Sequence, residues 1–523
     1  MLEALIGLIM IGAVGYVIYF VYAIRAGYRQ GVHEGRIRGS AARAARGDKP
    51  VGKPFYNAAF GGAYFPSTEQ LIDKGIAIPI DQAASENALT LGYALTNERR
   101  NTKHARICYS GDGHLITVAP TRAGKGIYHL VPNLLRYPGP VIVVDVKGEA
   151  YRATGKWRSK QLGCKVFAPF DPEVRSSSIN PVDFVRKSTQ PLEDSRLLAD
   201  MLVVPVQGTH DPFWHEEAKA LLAGIILHVA TSEGVKVRTL AEVRRIVALP
   251  EKDFIVAMHE MQDSSVAAVR RTADSYFDME EKVKSSVRAQ ARSQTHYLDS
   301  EKLAAVMGKT TMNFADLRHL PTGAFYLVIP PDQLPVLFPV LRMLLAMAIT
   351  QLQREKSQDG PPVLVMIDEF PQLGHMKPIA EGLRYLAGYN VQLWLFAQDL
   401  GALRQTYGDD GARTILSNCD CRSFFGTTDY ETAKLVSDMT GDMTIALEQL
   451  SRTQSRRSLT QVETSASASY SHTGRPLLSP DEILHRMASD QALVFMRGER
   501  PILSGMVPWF EIEALVERSE GRA

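Results

Sequence analysis

Short apolar runs recur along the 523-residue chain, and helical patterns fill the intervals between them. The runs are rich in β-branched and aromatic residues, as β-strands are. Strand-like runs that alternate with helical patterns indicate an α/β fold with a mostly parallel sheet and helices on both faces. The runs lie at 115–119, 140–146, 324–330, 362–370, 391–399, 421–427 and 492–496.

The pattern changes between about 190 and 315, where strand-like runs give way to apolar residues at helical spacing. One such segment is WHEEAKALLAGIILHVA, residues 214–230. The block is long enough to form an all-α domain inserted into the α/β domain. The predicted boundaries are 56–188 and 317–505 for the two parts of the α/β domain, 189–316 for the all-α domain and 506–523 for a C-terminal tail.

The N-terminus predicts a membrane anchor. Residues 4–24 carry no charge, and as a helix they would span about 31 Å, close to the hydrocarbon thickness of a bilayer. Basic residues follow this run, which places the N-terminus in the periplasm and the bulk of the chain in the cytoplasm. We expect one transmembrane helix over 1–24 and a basic juxtamembrane linker over 25–55. A buried core helix is the alternative.

Composition refines this picture in three places. Residues 451–474 are rich in Ser, Thr, Arg and Gln, which predicts a mobile surface loop. The net charge is +2, so any contact with nucleic acid must come from local patches or a pore. The four cysteines fit neither a redox pair nor a zinc site and are predicted to be reduced and mostly buried: Cys108, Cys164, Cys419 and Cys421.

The stretch LITVAPTRAGKG at 115–126 has the form of a phosphate-binding loop between a strand and a helix. Gly124 would let the backbone approach a phosphate, and Lys125 would reach the β/γ oxygens of ATP. Ala119 replaces the usual first glycine, Gly126 replaces the hydroxyl that usually binds Mg²⁺, and Pro132 predicts a kink or early end of the helix. The predicted nucleotide-binding residues are Pro120, Thr121, Arg122, Ala123, Gly124, Lys125, Gly126 and Ile127.

A second motif, VLVMIDEF at 363–370, places two acids at the end of an apolar strand. Asp368 is the candidate ligand for Mg²⁺, and Glu369 is the candidate base that activates water. A helix N-cap with an acid in its first turn is the alternative explanation. Glu149, in DVKGE, is a rival for the general base.

Two further residues are candidate accessories of the same site. Gln398 ends the strand 391–398, where its amide could sense a γ-phosphate or hold the attacking water. Arg422 begins the strand 421–426, and an arginine in this area of ring ATPases can reach the γ-phosphate of a neighbouring subunit. The alternatives are an ordinary strand-end amide for Gln398 and a structural salt bridge for Arg422.

Together these stretches resemble the type IV coupling proteins, the TraG/TraD-type ATPases of conjugation and type IV secretion. The loop of that family reads P-T-[RG]-x-G-K-G, and PTRAGKG at 120–126 is similar to it, whereas Ala119 departs from the family's usual first glycine. The resemblance covers about residues 105–500. Its other motifs are VPNLLRYPGPVIVVDVKGEAY from Val131, INPVD at 179–183, FWHEEA at 213–218, IDEFPQLG at 367–374, FAQDLGALRQTYG at 396–408 and GRPLLSPDEI at 474–483.

The resemblance implies a hexameric ATPase of the bacterial inner membrane, with a RecA-like domain and an all-α domain far from the membrane. ATP would lie between subunits with Mg²⁺ on Asp368, phosphate on Gly124 and Lys125, and water activated by Glu369. The partners would be type IV secretion channel components, together with a relaxase bound to single-stranded DNA or effector proteins. Many members have two transmembrane helices, whereas the sequence predicts one here.

The sequence leaves several functions open. Transport of effector proteins alone is the nearest alternative to transport of a relaxase–DNA complex. A double-strand DNA pump would usually show several membrane spans and a C-terminal winged helix, neither of which is evident. A scaffold without hydrolysis would not need Lys125, Asp368 and Glu369 together.

Overall fold

The computed structural model describes residues 61–95, 105–161, 163–203, 213–320, 322–355, 360–458 and 461–522. The predicted transmembrane helix and the juxtamembrane linker lie outside the described residues, so both stay predictions. The boundaries of the predicted domains also stay predictions.

The described residues form a twelve-stranded sheet and a separate two-stranded pair. The strands of the sheet are β1 (Ala77–Pro79), β2 (Leu89–Ala94), β3 (Ala105–Tyr109), β4 (His114–Val118), β5 (Val141–Val144), β6 (Cys164–Phe167), β7 (Ala324–Leu327), β8 (Val363–Ile367), β9 (Val391–Ala397), β10 (Cys419–Phe424), β13 (Gln491–Met496) and β14 (Ile502–Gly505), and the separate pair is β11 (Asp442–Ser458) and β12 (Gln461–Pro476).

The order of strands in the sheet is β1-β3-β2-β14-β13-β10-β4-β9-β8-β5-β7-β6. The seven strands from β10 to β6 are mutually parallel, while the five on the other side of β10 are joined by antiparallel pairs.

Each of the seven predicted apolar runs contains a strand, and six of those strands lie in the parallel part. The antiparallel side was not foreseen beyond β13. Strand β2 contains Gly92 at a β-bulge, which weakens the strand pattern in the sequence. Strand β6 of the parallel part was also missed.

Only helices and turns occur between β6 and β7 in the described residues, as the apolar spacing predicted. The helices of the whole described chain are α1 (Thr68–Asp73), α2 (Val131–Arg136), α3 (Glu149–Lys160), α4 (Pro191–Leu202), α5 (Phe213–Thr231), α6 (Leu240–Ala248), α7 (Glu251–Gln262), α8 (Ala267–Asp278), α9 (Glu281–Thr295), α10 (Glu301–Val306), α11 (Leu334–Arg354), α12 (Lys377–Gly382), α13 (Leu400–Asn418), α14 (Tyr430–Thr440), α15 (Pro480–His485) and α16 (Glu513–Ser519). The apolar residues of α5 to α9 join the same buried cluster as one face of the sheet.

Helix α11 is the one helix of the described residues that is long and apolar enough to cross a bilayer. It is 67% buried over its most apolar 18 residues, and it packs on α4 and on the turn Phe314–Arg318. Its apolar character is therefore explained by burial in the protein core.

The prediction that 451–474 forms a loop is wrong for residues 451–458 and 461–474, which lie in strands. Strands β11 and β12 instead form a two-stranded antiparallel ribbon whose base is held where the backbone N–H of Thr444 donates to the Gly61 carbonyl. A backbone ladder satisfies its own hydrogen bonds without large apolar side chains, so hydrophobic patterning could not detect it.

The last segment, predicted as a tail, ends in helix α16. Leu515 packs with Val131 and Leu135 of α2, and the Arg518 guanidinium donates to the Leu135 carbonyl at 2.8 Å. All four cysteines are free thiols in the structure, and three of them are buried.

Candidate nucleotide-binding site

The phosphate-loop stretch leaves β4 at the carboxyl edge of the parallel strands. The N–H of Ala119 still bonds to the Ala397 carbonyl of β9, after which the chain turns through Pro120. Arg122 (φ 67°) and Gly124 (φ 95°) adopt left-handed backbone conformations, which fold the loop back towards a π-helical turn, Gly126–Leu130. Helix α2 follows with Pro132 in its first turn and ends at Arg136, in line with the predicted early end.

The structure explains one of the two departures of the loop from the usual pattern, the alanine at position 119. Ala119 is buried against Phe425, Ala492 and Met506 and does not have a positive φ, so this position does not require glycine. A Cβ added to Gly124 would lie 2.5 Å from the Tyr128 ring, so that position does. A Cβ at Gly126 would meet nothing within 4 Å, which leaves open space beside the loop.

The acid pair follows β8 at the same edge of the sheet. Asp368 continues the ladder, because its N–H donates to the Val144 carbonyl of β5. Glu369 has a left-handed backbone (φ 51°, ψ 42°) and begins the turn Phe370–Leu373. A non-glycine residue in this conformation is strained. The strain turns the Glu369 side chain towards the loop, as the contacts below show.

Glu369 contacts two other predicted site residues, Lys125 and Gln398, so the three side chains form a line. Its Oε2 accepts a hydrogen bond from Gln398 Nε2 at 3.0 Å, and its Oε1 lies 3.7 Å from Lys125 Nζ. Lys125 Nζ also donates to the Ala119 carbonyl at 2.8 Å. Lys125 and Glu369 are only 7% and 4% exposed, so each charge depends on the other for compensation.

Acidic groups concentrate beside this line. Burial raises the pKa of Asp368 to about 7, and the neighbouring Glu369 adds to the effect. Burial also raises the pKa of Asp145, at the end of β5, to about 6, although the N–H groups of Tyr151 and Gly148 stabilise its charged form. A cation here would relieve the cost of ionising these carboxylates.

These oxygen ligands fit Mg²⁺, which binds through one or two carboxylates plus water and phosphate oxygens. Within the described ranges, no group of three or more acidic, His or Cys side chains forms a closed metal site. The predicted role of Asp368 as a ligand of Mg²⁺ stays a prediction.

Arg422 and Glu149 do not join the line in the structure. Arg422 pairs with Ile116 within the sheet, and its Nε is buried without a hydrogen-bond partner among the described residues. Its predicted action on a neighbouring subunit stays a prediction. Glu149 is exposed in the first turn of α3.

Two nearby residues were missed by sequence reasoning. Lys147 lies close enough to lower the pKa of Asp368, and its signal was the lysine within DVKGE. Gly426 follows β10 with φ 61°, and a Cβ there would lie 3.0 Å from the Ala123 Cβ of the loop. The stretch FFGT gave no cue that its glycine would face a segment 300 residues away in the sequence.

Comparison with known protein families identifies the family to which the chain belongs. Residues 80–522 match the family described as type IV secretory system conjugative DNA transfer. The chain belongs to that family. Relatives within it include the conjugal transfer protein TraG of Escherichia coli, 32% identical over 72% of this chain and 62% of TraG. VirD4 of Rhizobium rhizogenes is 29% identical over 74% of this chain and 57% of VirD4. The chain thus spans about three-fifths of the length of these relatives.

Solved structures support the fold of the family. The plasmid coupling protein TrwB in complex with the non-hydrolysable ATP analogue ADPNP aligns with a TM-score of 0.63 at 15% identity, covering 88% of this chain and 96% of that chain. TrwB with ADP and Mg²⁺ aligns with a TM-score of 0.60 at 14% identity, covering 86% and 96%. The mixed α/β architecture and its large parallel sheet fit a RecA-like domain.

Proposed function

We propose that the chain is a P-loop ATPase that couples a transfer substrate to a type IV secretion channel and drives its translocation by ATP hydrolysis. The observation that carries the proposal is the line Lys125–Glu369–Gln398 at the carboxyl edge of the sheet. It brings a phosphate-binding cation, a base and an orienting amide together from three separate strands. The family membership supplies the coupling role.

Each residue has a role in this proposal. Backbone N–H groups of the loop and Lys125 bind the phosphates of ATP, and Asp368 holds Mg²⁺, whose charge would stabilise the phosphate oxygens. Glu369 accepts a proton from the attacking water, and Gln398 orients Glu369. Gly126 has no side chain and so cannot supply the usual loop hydroxyl to the metal, which leaves more of that task to Asp368. Arg422 would act on the site of an adjacent subunit.

The wider setting belongs to the same proposal. We infer a homo-hexamer in the bacterial inner membrane, anchored by the N-terminal helix, with most of the chain in the cytoplasm. The substrate is a relaxase with its single-stranded DNA, effector proteins, or both. The name of the TraG relative, a conjugal transfer protein, supports a role in transfer, and the complexes of TrwB with ADPNP and with ADP and Mg²⁺ support nucleotide binding. Transport of effector proteins alone is the second candidate.

Steady-state ATP hydrolysis by the full chain in lipid, with and without single- and double-stranded DNA, tests the proposal. We expect Mg²⁺-dependent turnover that single-stranded DNA stimulates and that Lys125→Ala abolishes. Turnover that depends on Lys125 but ignores DNA would favour protein cargo. Turnover that survives Lys125→Ala would show that the phosphate loop has been assigned wrongly.

A further inference from the structure

Three fully buried side chains form a hydrogen-bonded chain directly behind the phosphate loop. Trp394 Nε1 lies 3.0 Å from Thr117 Oγ1, and Thr117 Oγ1 lies 3.1 Å from His129 Nδ1. His129 Nε2 lies 3.1 Å from the carbonyl oxygen of Leu91. All three side chains are 0% exposed, so water does not compete for these bonds. Polar groups buried this deeply are costly unless every one is satisfied.

The direction of each bond follows from the chemistry of its ends. The Leu91 carbonyl can only accept, so His129 carries its proton on Nε2. When the ring is neutral, the Nδ1 atom is then an acceptor, so the Thr117 hydroxyl donates to it. The indole of Trp394 can only donate, and it supplies the hydrogen bond that Thr117 Oγ1 accepts. With neutral histidine the chain therefore has one consistent direction.

The surroundings keep His129 neutral. Burial lowers its pKa to about 4, although the bond to Leu91 opposes that effect. The imidazole packs between Trp394 and Phe425, with ring centroids 5.5 and 5.3 Å away. Because all three side chains are fully buried, bulk water does not replace a bond that is lost.

The three residues come from three elements next to the candidate site. Thr117 lies in β4, two residues before Ala119, whose carbonyl binds Lys125. His129 lies in the π-helical turn, four residues after Lys125. Trp394 lies in β9, four residues before Gln398, which binds Glu369. Asn133 extends the same support, because its amide bonds both the N–H and the carbonyl of Thr90 in β2.

We propose that Trp394, Thr117 and His129 are positioning residues that hold the Gln398 strand in register with the phosphate loop during ATP hydrolysis. The inference rests on the proposed function. The loop binds phosphate largely through its backbone, so nucleotide affinity does not depend on this chain. The rate of hydrolysis does depend on the Trp394–Thr117–His129 hydrogen bonds, because the Glu369–Gln398 pair must place water against a phosphate that the loop and Lys125 hold. The chain fixes the distance between those two halves of the site.

Removal of one hydroxyl tests the proposal with little change in shape. Thr117→Val leaves the Trp394 N–H and His129 Nδ1 without partners, whereas Thr117→Ser retains the hydroxyl. Thr154→Val is the matched control, since Thr154 is also 0% exposed and its hydroxyl bonds Tyr326 and the Ala150 carbonyl. We expect kcat to fall at least ~10-fold in Thr117→Val with KM within about threefold of wild type. Thr117→Ser should recover most of the loss, and Thr154→Val should show none per folded molecule.

Trp394→Phe provides a second route if Thr117→Val does not fold. It keeps a large ring but lacks the indole N–H, and it should show the same loss of kcat without a change in KM. The proposal is overturned if Thr117→Val and Trp394→Phe lower kcat no more than Thr154→Val. It is also overturned if the loss appears in KM alone or if serine fails to rescue it.

A separate readout keeps this proposal distinct from the proposed function. If the wild type shows no turnover that depends on Lys125, hydrolysis has failed as the function, and binding of the ATP analogue ADPNP becomes the readout. The wild type should then show a change in Trp394 emission on binding ADPNP, measured as the difference from Trp394→Phe. Thr117→Val should lack that change. If ADPNP left Trp394 emission unchanged in the wild type, the proposed link between this hydrogen-bonded chain and the phosphate loop would be overturned.

Discussion

The carboxyl edge of the sheet and the helical region from α5 to α10 handle charge in opposite ways. In the helical region, ion pairs are short and reach solvent, such as Arg244–Asp299 at 2.7 Å and Arg245–Glu242 at 2.6 Å. At the carboxyl edge, Lys125 and Glu369 lie 3.7 Å apart and are both buried, beside an Asp368 whose pKa is raised. Exposed pairs contribute little to stability, whereas buried and loosely paired charges are costly. The comparison indicates that the edge is arranged for a ligand and the helical region for folding.

Removal of Lys125 should give the largest difference between the two regions. In Lys125→Ala, turnover should fall to background, a loss of ~10²-fold or more, because no cation remains to stabilise the β/γ-phosphates. Lys219→Ala removes a lysine of the helical region that pairs with Asp200 at 2.7 Å and Glu216 at 3.0 Å. Its turnover should equal that of the wild type in the same ATPase assay. Equal losses of turnover in both variants would mean that the carboxyl edge of the sheet is no more important for hydrolysis than the helical region.

The base should give the next largest effect. Glu369→Gln should slow hydrolysis by ~10²-fold or more while nucleotide stays bound, because an amide cannot accept the proton of the attacking water. Single-turnover hydrolysis and equilibrium nucleotide binding measure the two effects separately. Glu149→Gln is the control at an exposed acid, and it should be nearly neutral. A slow Glu149→Gln beside a normal Glu369→Gln would reassign the base.

A change in the helical region should affect stability without affecting chemistry. Gly224 lies in α5 where a Cβ would approach Thr272 Cγ2 of α8 to 2.3 Å. Gly224→Ala should therefore lower the free energy of unfolding by about 1–3 kcal/mol, the usual cost of overpacking. Turnover per folded molecule should be unchanged.

Gly234 supplies the matched control, because a Cβ there would meet nothing within 4 Å. Urea unfolding of Gly234→Ala should follow that of the wild type. If Gly224→Ala slowed turnover of the folded fraction, the two regions would be coupled more tightly than their charge patterns indicate.

The smallest expected effect concerns pH. The pKa of Asp368 rises from 3.8 to about 7 on folding, so the folded state binds this proton more tightly than the unfolded state does. In chelator, stability should therefore fall as pH rises from about 4 to about 7, and Mg²⁺ should restore it. Asp368→Asn should flatten this slope and raise the Tm at pH 8 by about 2–4 °C.

Thermal unfolding across this pH range, with and without Mg²⁺, provides the measurement. Asp145 contributes to the same slope because burial also raises its pKa, so Asp368→Asn should reduce the slope without removing it. An unchanged slope in Asp368→Asn would show that Asp368 does not titrate in this window.

The sequence predicted six of the seven strands of the parallel part, most of which are nearly continuous apolar runs such as VIVV in β5 and VLVMI in β8. It missed β6, whose sequence CKVF is short and contains a lysine. The sequence also placed Lys125, Glu369 and Gln398 at one edge of the sheet, since the carboxyl ends of parallel strands lie on the same side of it. It missed the ribbon β11–β12, because residues 451–474 are rich in Ser, Thr, Arg and Gln and carry few large apolar side chains. It missed the Trp394–Thr117–His129 chain because Trp394 is 277 residues from its partner, and side-chain pairing over that distance has no periodic signal. The backbone strain at Glu369 was equally hidden, because it depends on what packs around the turn.

The open space beside Gly126 makes this position suitable for a reporter group. A Cβ at this position of the phosphate loop would meet no neighbour within 4 Å. Cys108, Cys419 and Cys421 are buried, and burial raises the pKa of each thiol, so these residues would react slowly with alkylating dyes. In a Gly126→Cys variant whose Cys164 is replaced, the new thiol at position 126 would therefore take up most of the dye. Quenching of that dye would follow occupancy of the loop in real time, including in a variant that no longer turns over.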